Sequence, residues 1–249
     1  METVLQDIRY ALRMMRKSPG FTAMAVLTLA LGIGANTAIF SLVNAVLLRS
    51  LPYPEPDRLV KIAANNPGVG LREVPLSYPE FDDIRSRAGV FQDVTVVWPS
   101  SGNLTGSKQP ERLELLAVSP NYFSMLGAVP QVGRLFGQQD VAAGFAQAAV
   151  ISDGLWRRGF GADPNILGHN LELDNDPYTI VGVLPPGFRH PGRTVAADVE
   201  VWITAGFRAD PFSPDRGQRE IVGLMGRLKP GLSLDQAQAR LDTLAAAVR

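Results

Sequence analysis

The chain has 249 residues, with 24 Lys and Arg against 24 Asp and Glu, two His and no Cys. Balanced charge leaves no single-sign field of the kind that nucleic-acid binding draws on, so no nucleic-acid partner is expected. Without cysteine the chain can form no disulfide, iron–sulfur cluster or thiolate zinc site, and His169 and His190 are too few for a histidine-rich metal site; no cofactor is expected.

At the N-terminus Val4, Leu5, Ile8, Leu12 and Met15 stand at helical spacing among Arg9, Arg13, Arg16 and Lys17. That pattern predicts a short helix in the inner membrane interface over residues 1–20. Ser18 reads as the N-cap, and Pro19 as the first-turn residue, of a second helix. From Phe21 to Leu48 no charged side chain occurs. As a helix this run reaches roughly 42 Å, against the ~30 Å of a bilayer's hydrocarbon layer. It has no polar face and is bounded by charge, so it reads as a membrane-spanning helix in contact with the lipid bilayer. It also far exceeds the ~7–15 residues of a signal-peptide apolar region. Four basic residues precede it, while Arg49 and Arg58 follow. This bias places the N-terminus in the cytoplasm and the rest of the chain outside.

Gly32-Ile-Gly34 looks like the opening of a dinucleotide fingerprint, but Thr37 replaces the third glycine and no βαβ frame surrounds it. Ala30, Gly34 and Ala38 recur at i, i+4 and i+8. They form either a small-residue face on which membrane helices pack or simply the small residues common in such helices. Asn36 and Asn44 are candidates for hydrogen bonds across that interface, with water alone as the alternative partner of Asn44 near the outer end.

Leu51-Pro-Tyr-Pro-Glu-Pro-Asp57 cannot be helical, because each proline biases its predecessor to extended geometry. It predicts a stiff exit. Beyond it, short strands and helices alternate. Residues 58–63, 93–98 and 111–118 read as strands. Ser77-Tyr-Pro-Glu80 is a capping box that opens a helix to about Arg87. Ser119-Pro120 starts a helix through Leu126 that Gly127 stops. Residues 148–152 form a buried-type strand, followed by a helix at 155–160. Asp174-Asn-Asp-Pro177 joins strands 169–173 and 178–184 in a hairpin. Strands are predicted at 199–204 and 221–228. Ser233-Leu-Asp-Gln236 caps a final helix with Ala237, Leu241, Leu244 and Val248 on one face. The class is α+β with mixed or antiparallel sheets.

No catalytic constellation emerges. Gly102 to Lys108 lacks phosphate-loop spacing and reads as a polar loop. Ser119 and Ser152 lie outside any nucleophile elbow. His190 reads as a loop residue, Asp82-Asp83 and Asp174/Asp176 as solvated surface, and Arg157-Arg158 as a helix flank. Trp98, Trp156 and Trp202 read as packing residues.

Taken in order, LQDIRYALRMMRKSPGFTAMAVLTLALGIGANTAIFSLVNAVLLRSLPYPEPDRLV, SPNYFSMLGAVPQVGRLF, AAVISDGLWRRGFGADPNILGHNLELDNDPYTIVGVLPPGF and VGLMGRLKPGLSLDQAQARL resemble the FtsX-like/MacB-like ABC transporter permeases. The likeness covers nearly the whole chain and is closest to the long, duplicated orphan permeases of acidobacterial type. It implies a bacterial inner-membrane protein with one N-terminal transmembrane helix and a two-lobed periplasmic core domain. The porter-like β-α-β lobe would comprise residues 58–116 plus 199–249, and an inserted lobe residues 117–198. The resemblance also implies a separate ABC ATPase subunit, packing against other permease helices, and transmission of ATPase-driven motion to export or envelope partners by a subunit that is not itself an enzyme. A homodimer is a further assembly it allows.

Such permeases carry three more membrane helices after the domain, whereas no second apolar run follows Leu48. The chain is thus expected to be a truncated permease, or else a half that works with partners. The competing expectation is a stand-alone membrane-anchored binding or adaptor module.

Overall fold

The apolar run forms helix α1, Pro19–Val43. The computed structural model describes residue 10 and residues 13–43, 53–66, 70–105, 111–137, 139–140, 147–191, 199–204 and 215–247. Residues 44–48 of the expected span and most of the expected interfacial helix lie outside these, although 13–17 are helical. The Ser18 carbonyl accepts the Thr22 N–H at 3.0 Å and Pro19 opens the helix, as its fixed φ favours. The chain divides into two units, Met1–Leu51 and Pro52–Arg249.

The second unit is mixed α+β. Among the described residues its main sheet has nine strands: β1 (Leu59–Ile62), β5 (Phe91–Thr105), β6 (Glu111–Val118), β7 (Val132–Gly133), β8 (Ala148–Ile151), β9 (Asn170–Leu173), β10 (Asp176–Val183), β11 (Val201–Thr204) and β13 (Gly223–Leu228). Two small ribbons flank it. One pairs β2 (Ala64–Asn66) with β3 (Leu71–Val74), the other β4 (Leu76–Ser77) with β12 (Arg219–Ile221). The main order is β1-β13-β5-β6-β11-β8-β10-β7, with β9 joining β10 to β5.

That last connection closes a ring. β5 pairs with β6, β6 with β11, β11 with β8, β8 with β10, β10 with β9, and β9 with the far end of β5. Among the described residues the closure is made by Leu104 opposite Leu173 and Thr105 opposite Glu172. Asp174 reinforces it, accepting from the Asn103 N–H at 3.1 Å and from its Nδ2 at 2.7 Å. The β9–β10 turn places Asp174 and Asn175 at φ 51° and 72°, the left-handed pair of a tight hairpin that these residue types tolerate.

The ring explains why β6, β8 and β11 read as nearly continuous apolar runs. Leu113, Leu115, Ala149, Ile151 and Val201 belong to one buried cluster with Leu171, Leu173 and Ile180 of the other ring strands. Their neighbours Leu116, Val118, Ala148, Val150 and Trp202 belong to a second, with Tyr122, Phe123 and Phe136. Side chains alternate across a strand, so both faces of these three are buried. The β1-β13-β5 end packs instead against helices α2 (Tyr78–Arg87) and α5 (Leu234–Ala247), through Ile84, Val94, Leu224 and, at the other helix, Ala237 and Leu228.

Local signals locate the helices. The Ser77/Glu80 capping box is complete, with Ser77 N–H donating to Glu80 Oε2 at 2.8 Å. Ser233 and Gln236 cap α5 in the same reciprocal way. Helix α3 (Tyr122–Leu126) starts later than expected. The Ser119 hydroxyl is engaged elsewhere. It accepts the Val96 N–H at 2.8 Å and meets Thr95 Oγ1 at 2.7 Å, so it ties β5 instead of capping a helix. Gly127 ends α3 at φ 68°. Helix α4 (Asp153–Phe160) is capped by Ser152, whose hydroxyl accepts the Leu155 N–H.

The expected polar loop at Gly102 is corrected in part, because residues 102–105 continue β5, Gly102 opposite Leu113. The expected strand over 221–228 is two, β12 and β13.

Leu113 is fully buried and Leu234 is 62% exposed. Leu113→Ala is therefore expected to lower unfolding stability by about 2–5 kcal/mol. Leu234→Ala should stay within about 0.5 kcal/mol of the parent. Urea unfolding followed by tryptophan fluorescence compares the two; equal losses would mean the ring interior is not close-packed.

Candidate functional site

Helix α1 is apolar on every side. Phe21, Met24, Leu27, Leu31, Ile33 and Phe40 are all exposed, and the 22 residues from Pro19 to Phe40 have mean hydropathy 1.8 with none of that surface buried. Those residues reach roughly 33 Å, enough for a bilayer's hydrocarbon layer. Ala30, Asn36, Gly34 and Ala38 are likewise exposed, and a Cβ at Gly34 would meet nothing within 4 Å. The stripe is open to a close-packing neighbour.

In the domain the richest cluster is aromatic. Trp202, Tyr122, Phe123, Phe136 and Phe188 pack edge to face or tilted, with ring centroids 5.0–6.2 Å apart along the cluster. Tyr53, the first described residue after α1, inserts its ring against Phe188 at 5.8 Å and donates its hydroxyl to the Arg189 carbonyl. Tyr122 Oη and His190 Nδ1 share a 2.7 Å hydrogen bond. Burial lowers the His190 pKa to about 4, so the imidazole is neutral at pH 7. Burial also drives the Tyr122 hydroxyl well above its usual range; Tyr53 adds to the rise and Trp202 opposes it. His190 thus lies in a loop, as expected, in a half-buried segment that Phe188 and the Tyr122 bond fasten to the aromatic cluster.

An open cleft of about 470 Å³ lies at β8 and β10, lined by Arg134, Asp140, Gln147, Asn170, Thr179 and Val181 among others. Arg134 holds Asp140 in a two-pronged pair at 2.8 and 2.7 Å, and the Gly137 N–H donates to the same carboxylate. Burial would raise the Asp140 pKa, yet these bonds bring it below the ordinary value. The two charges satisfy each other, and no nucleophile–base pair stands in the cleft among the described residues.

Several of the charged residues singled out in the sequence are paired. Asp83 is buried rather than solvated, and bonds both Arg87 and Arg216 at 2.9 and 2.7 Å. Asp82 pairs with Arg85. Arg157 pairs with Asp153, and Arg158 bridges Glu200 and Glu111. Trp156 and Trp202 are core residues while Trp98 is half-buried. Among the described residues no group of three His, Cys, Asp or Glu could hold a metal.

Sequence reasoning missed Tyr53, Tyr122 and Arg227. Tyr53 lies in a proline-rich stretch that reads as linker. Arg227, 6% exposed on β13, donates to three backbone carbonyls that no local pattern announces.

The described residues thus comprise an apolar helix long enough to cross a membrane and, after it, a mixed α+β domain. The family described as MacB-like periplasmic core domain matches residues 22–244. The chain belongs to that family, and with it to the MacB/FtsX-like ABC transporter permeases. It is 31% identical over 131 residues to the macrolide export ATP-binding/permease protein MacB of Burkholderia pseudomallei, and 29% identical to that of Burkholderia thailandensis. Each match takes in 51% of this chain and 18% of the relative, so the chain spans under a fifth of those proteins.

Three solved structures share the fold. The periplasmic region of MacB from Actinobacillus actinomycetemcomitans aligns with TM-score 0.57 at 17% identity, covering 76% of this chain and 83% of that one. A domain of a putative permease from Porphyromonas gingivalis aligns with TM-score 0.59 at 17% identity, covering 79% and 87%. The extracellular domain of the noncanonical ABC-type transporter YknZ from Gram-positive bacteria gives TM-score 0.51 at 16% identity, covering 73% and 86%.

His190 supplies a pH test. Its folded pKa lies below the ordinary 6.5, so the unfolded chain binds the proton more readily. The stabilisation is full above pH 6.5 and is lost as pH falls towards 4, by roughly 3 kcal/mol in all. In urea titrations between pH 7 and 4, the parent should lose stability relative to His190→Gln. A difference that stays constant across the window would show the imidazole is not buried neutral.

Proposed function

We propose that this chain supplies the first membrane helix and the extracytoplasmic domain of an ABC-type permease in a bacterial inner membrane. The observation that carries this reading is the single family match over residues 22–244, which takes in α1 and the domain together. The N-terminus lies in the cytoplasm, as the basic flank of Arg9, Arg13, Arg16 and Lys17 supports. A separate ABC ATPase drives helix motion, and the domain passes that motion to export or envelope partners. The subunit does no chemistry of its own. Further permease helices pack on the stripe of Ala30, Gly34 and Ala38, with Asn36 available for a hydrogen bond between helices. The assembly binds no nucleic acid, and a second copy can complete it.

Within the domain, residues 58–116 and 199–249 serve as the porter-like lobe, which takes in the β1-β13-β5 end with α2 and α5 and also β11 and most of β6. Residues 117–198 form the inserted lobe. The separate packing of α2 and α5 against that end of the sheet supports this division.

Topology is open to direct measurement because the chain has no cysteine. Ser101 is a poor reporter, being half-buried and accepting from Arg112. Ala239, exposed on α5, is a better one. Ala239→Cys in intact cells should react with a membrane-impermeant maleimide that has crossed the outer membrane. Labelling only after lysis would reverse the orientation and defeat the reading. Gly34→Leu should reduce severalfold the recovery of co-expressed permease helices in detergent while the domain's melting temperature holds. Undiminished recovery would remove the packing role of the stripe.

A further inference from the structure

The segment that opens the domain, residues 53–58, is fastened at Tyr53, Pro54, Glu55 and Arg58. The Tyr53 ring is buried in the aromatic cluster and its hydroxyl reaches the Arg189 carbonyl. Pro54 lies against Gly127, where a Cβ would come within 2.8 Å of its ring. Glu55 adopts the left-handed conformation at φ 47°. Arg58 Nε donates to the Leu228 carbonyl at 2.8 Å, and its Nη2 to Gln92 Oε1 at 2.5 Å.

At the centre stands Arg227. Its guanidinium sends Nη1 to the carbonyls of Pro54 and Glu55 at 2.9 and 3.3 Å, and Nε to the Met125 carbonyl at 2.9 Å. A rigid planar fork of this kind can hold two separate backbone segments at once, which a lysine ammonium cannot do with the same geometry. The carbonyls compensate a buried cation that faces no carboxylate in these bonds. Met125 lies in the last turn of α3, where helix carbonyls are left without partners in the helix and carry partial negative charge.

We propose that Arg227 is the joint that makes residues 53–58 a rigid extension of the sheet. Displacement arriving along the chain from residue 52 is then delivered to β13 and to the end of α3, instead of being absorbed by a slack linker. Delivery of motion rests on the permease reading above; the rigidity of the joint does not. Arg227 is accordingly a positioning residue. A cluster of backbone carbonyls from two distant segments around one buried guanidinium adds directional bonds to the apolar packing of Tyr53 and Pro54 and so specifies their relative placement.

The test uses the cysteine-free full chain in nanodiscs, with pairs of spin labels and pulsed dipolar spectroscopy. Asp57→Cys with Ala239→Cys reports the lead-in segment against α5; Glu172→Cys with Ala239→Cys reports the domain alone. Glu172 and Ala239 are exposed, and Asp57 is solvent-accessible on the lead-in segment. The parent should give narrow distance distributions for both pairs. Arg227→Met should at least double the width for 57–239 and leave 172–239 unchanged. Arg227→Lys, which keeps the charge without the fork, should broaden 57–239 in the same sense and carries the test if the methionine variant does not fold. A 57–239 distribution as narrow as the parent's in the variants would overturn the proposal. So would equal broadening of both pairs, which would make Arg227 a general core residue. The maleimide experiment is independent: a reversed topology would remove the permease reading and leave the joint standing.

Discussion

A β-strand in a two-layer domain ordinarily has one face to bury, but Glu111–Val118, Ala148–Ile151 and Val201–Thr204 have two. The ring and the aromatic layer meet that demand. One set of faces is satisfied by closing six strands into a ring around Leu113, Ile151, Leu171 and Ile180. The other set is covered from outside by Tyr122, Phe123, Phe136 and Trp202. Removing either cover would expose a row of large apolar side chains, so the ring and the aromatic layer stand or fall together.

β5 holds the two ends of the domain in one sheet. Its first half, Phe91–Val97, pairs with β13, and Val97–Leu104 pairs with β6. A strand shared in this way couples the helix-covered end to the ring without a hinge between them. The same sheet carries Arg227 on β13, so the lead-in segment is bonded to the sheet that joins the helix-covered end to the ring.

What could be read from the sequence was what local chemistry decides. Ser77 with Glu80, Ser233 with Gln236, the glycine after Leu126 and the Asp174-Asn175 turn each act within a few residues, and each stands where expected. The apolar character of α1 likewise needs no tertiary partner to be seen. By contrast, Ser100-Ser101-Gly102-Asn103 has the composition of a loop and became strand because β6 supplies a partner along its length and β9 pairs just beyond it. Asp83 looked like surface until Arg216, far along the chain, reached it. Arg227 gave no local sign, because its three acceptors are backbone carbonyls from Pro54, Glu55 and Met125, and backbone carbonyls carry no sequence signature.

The ring closure has a consequence of its own. Among the described residues, five of the six seams are made by runs of three to eight opposed residues, whereas β9 meets β5 through two, with Asp174 gripping Asn103 beside them. A closed belt under load parts where it is fastened over the shortest length. The barrel is therefore buckled rather than woven shut. Its buckle sits at a hairpin tip beside an apolar interior, so the site at which it would come undone is written into the fold.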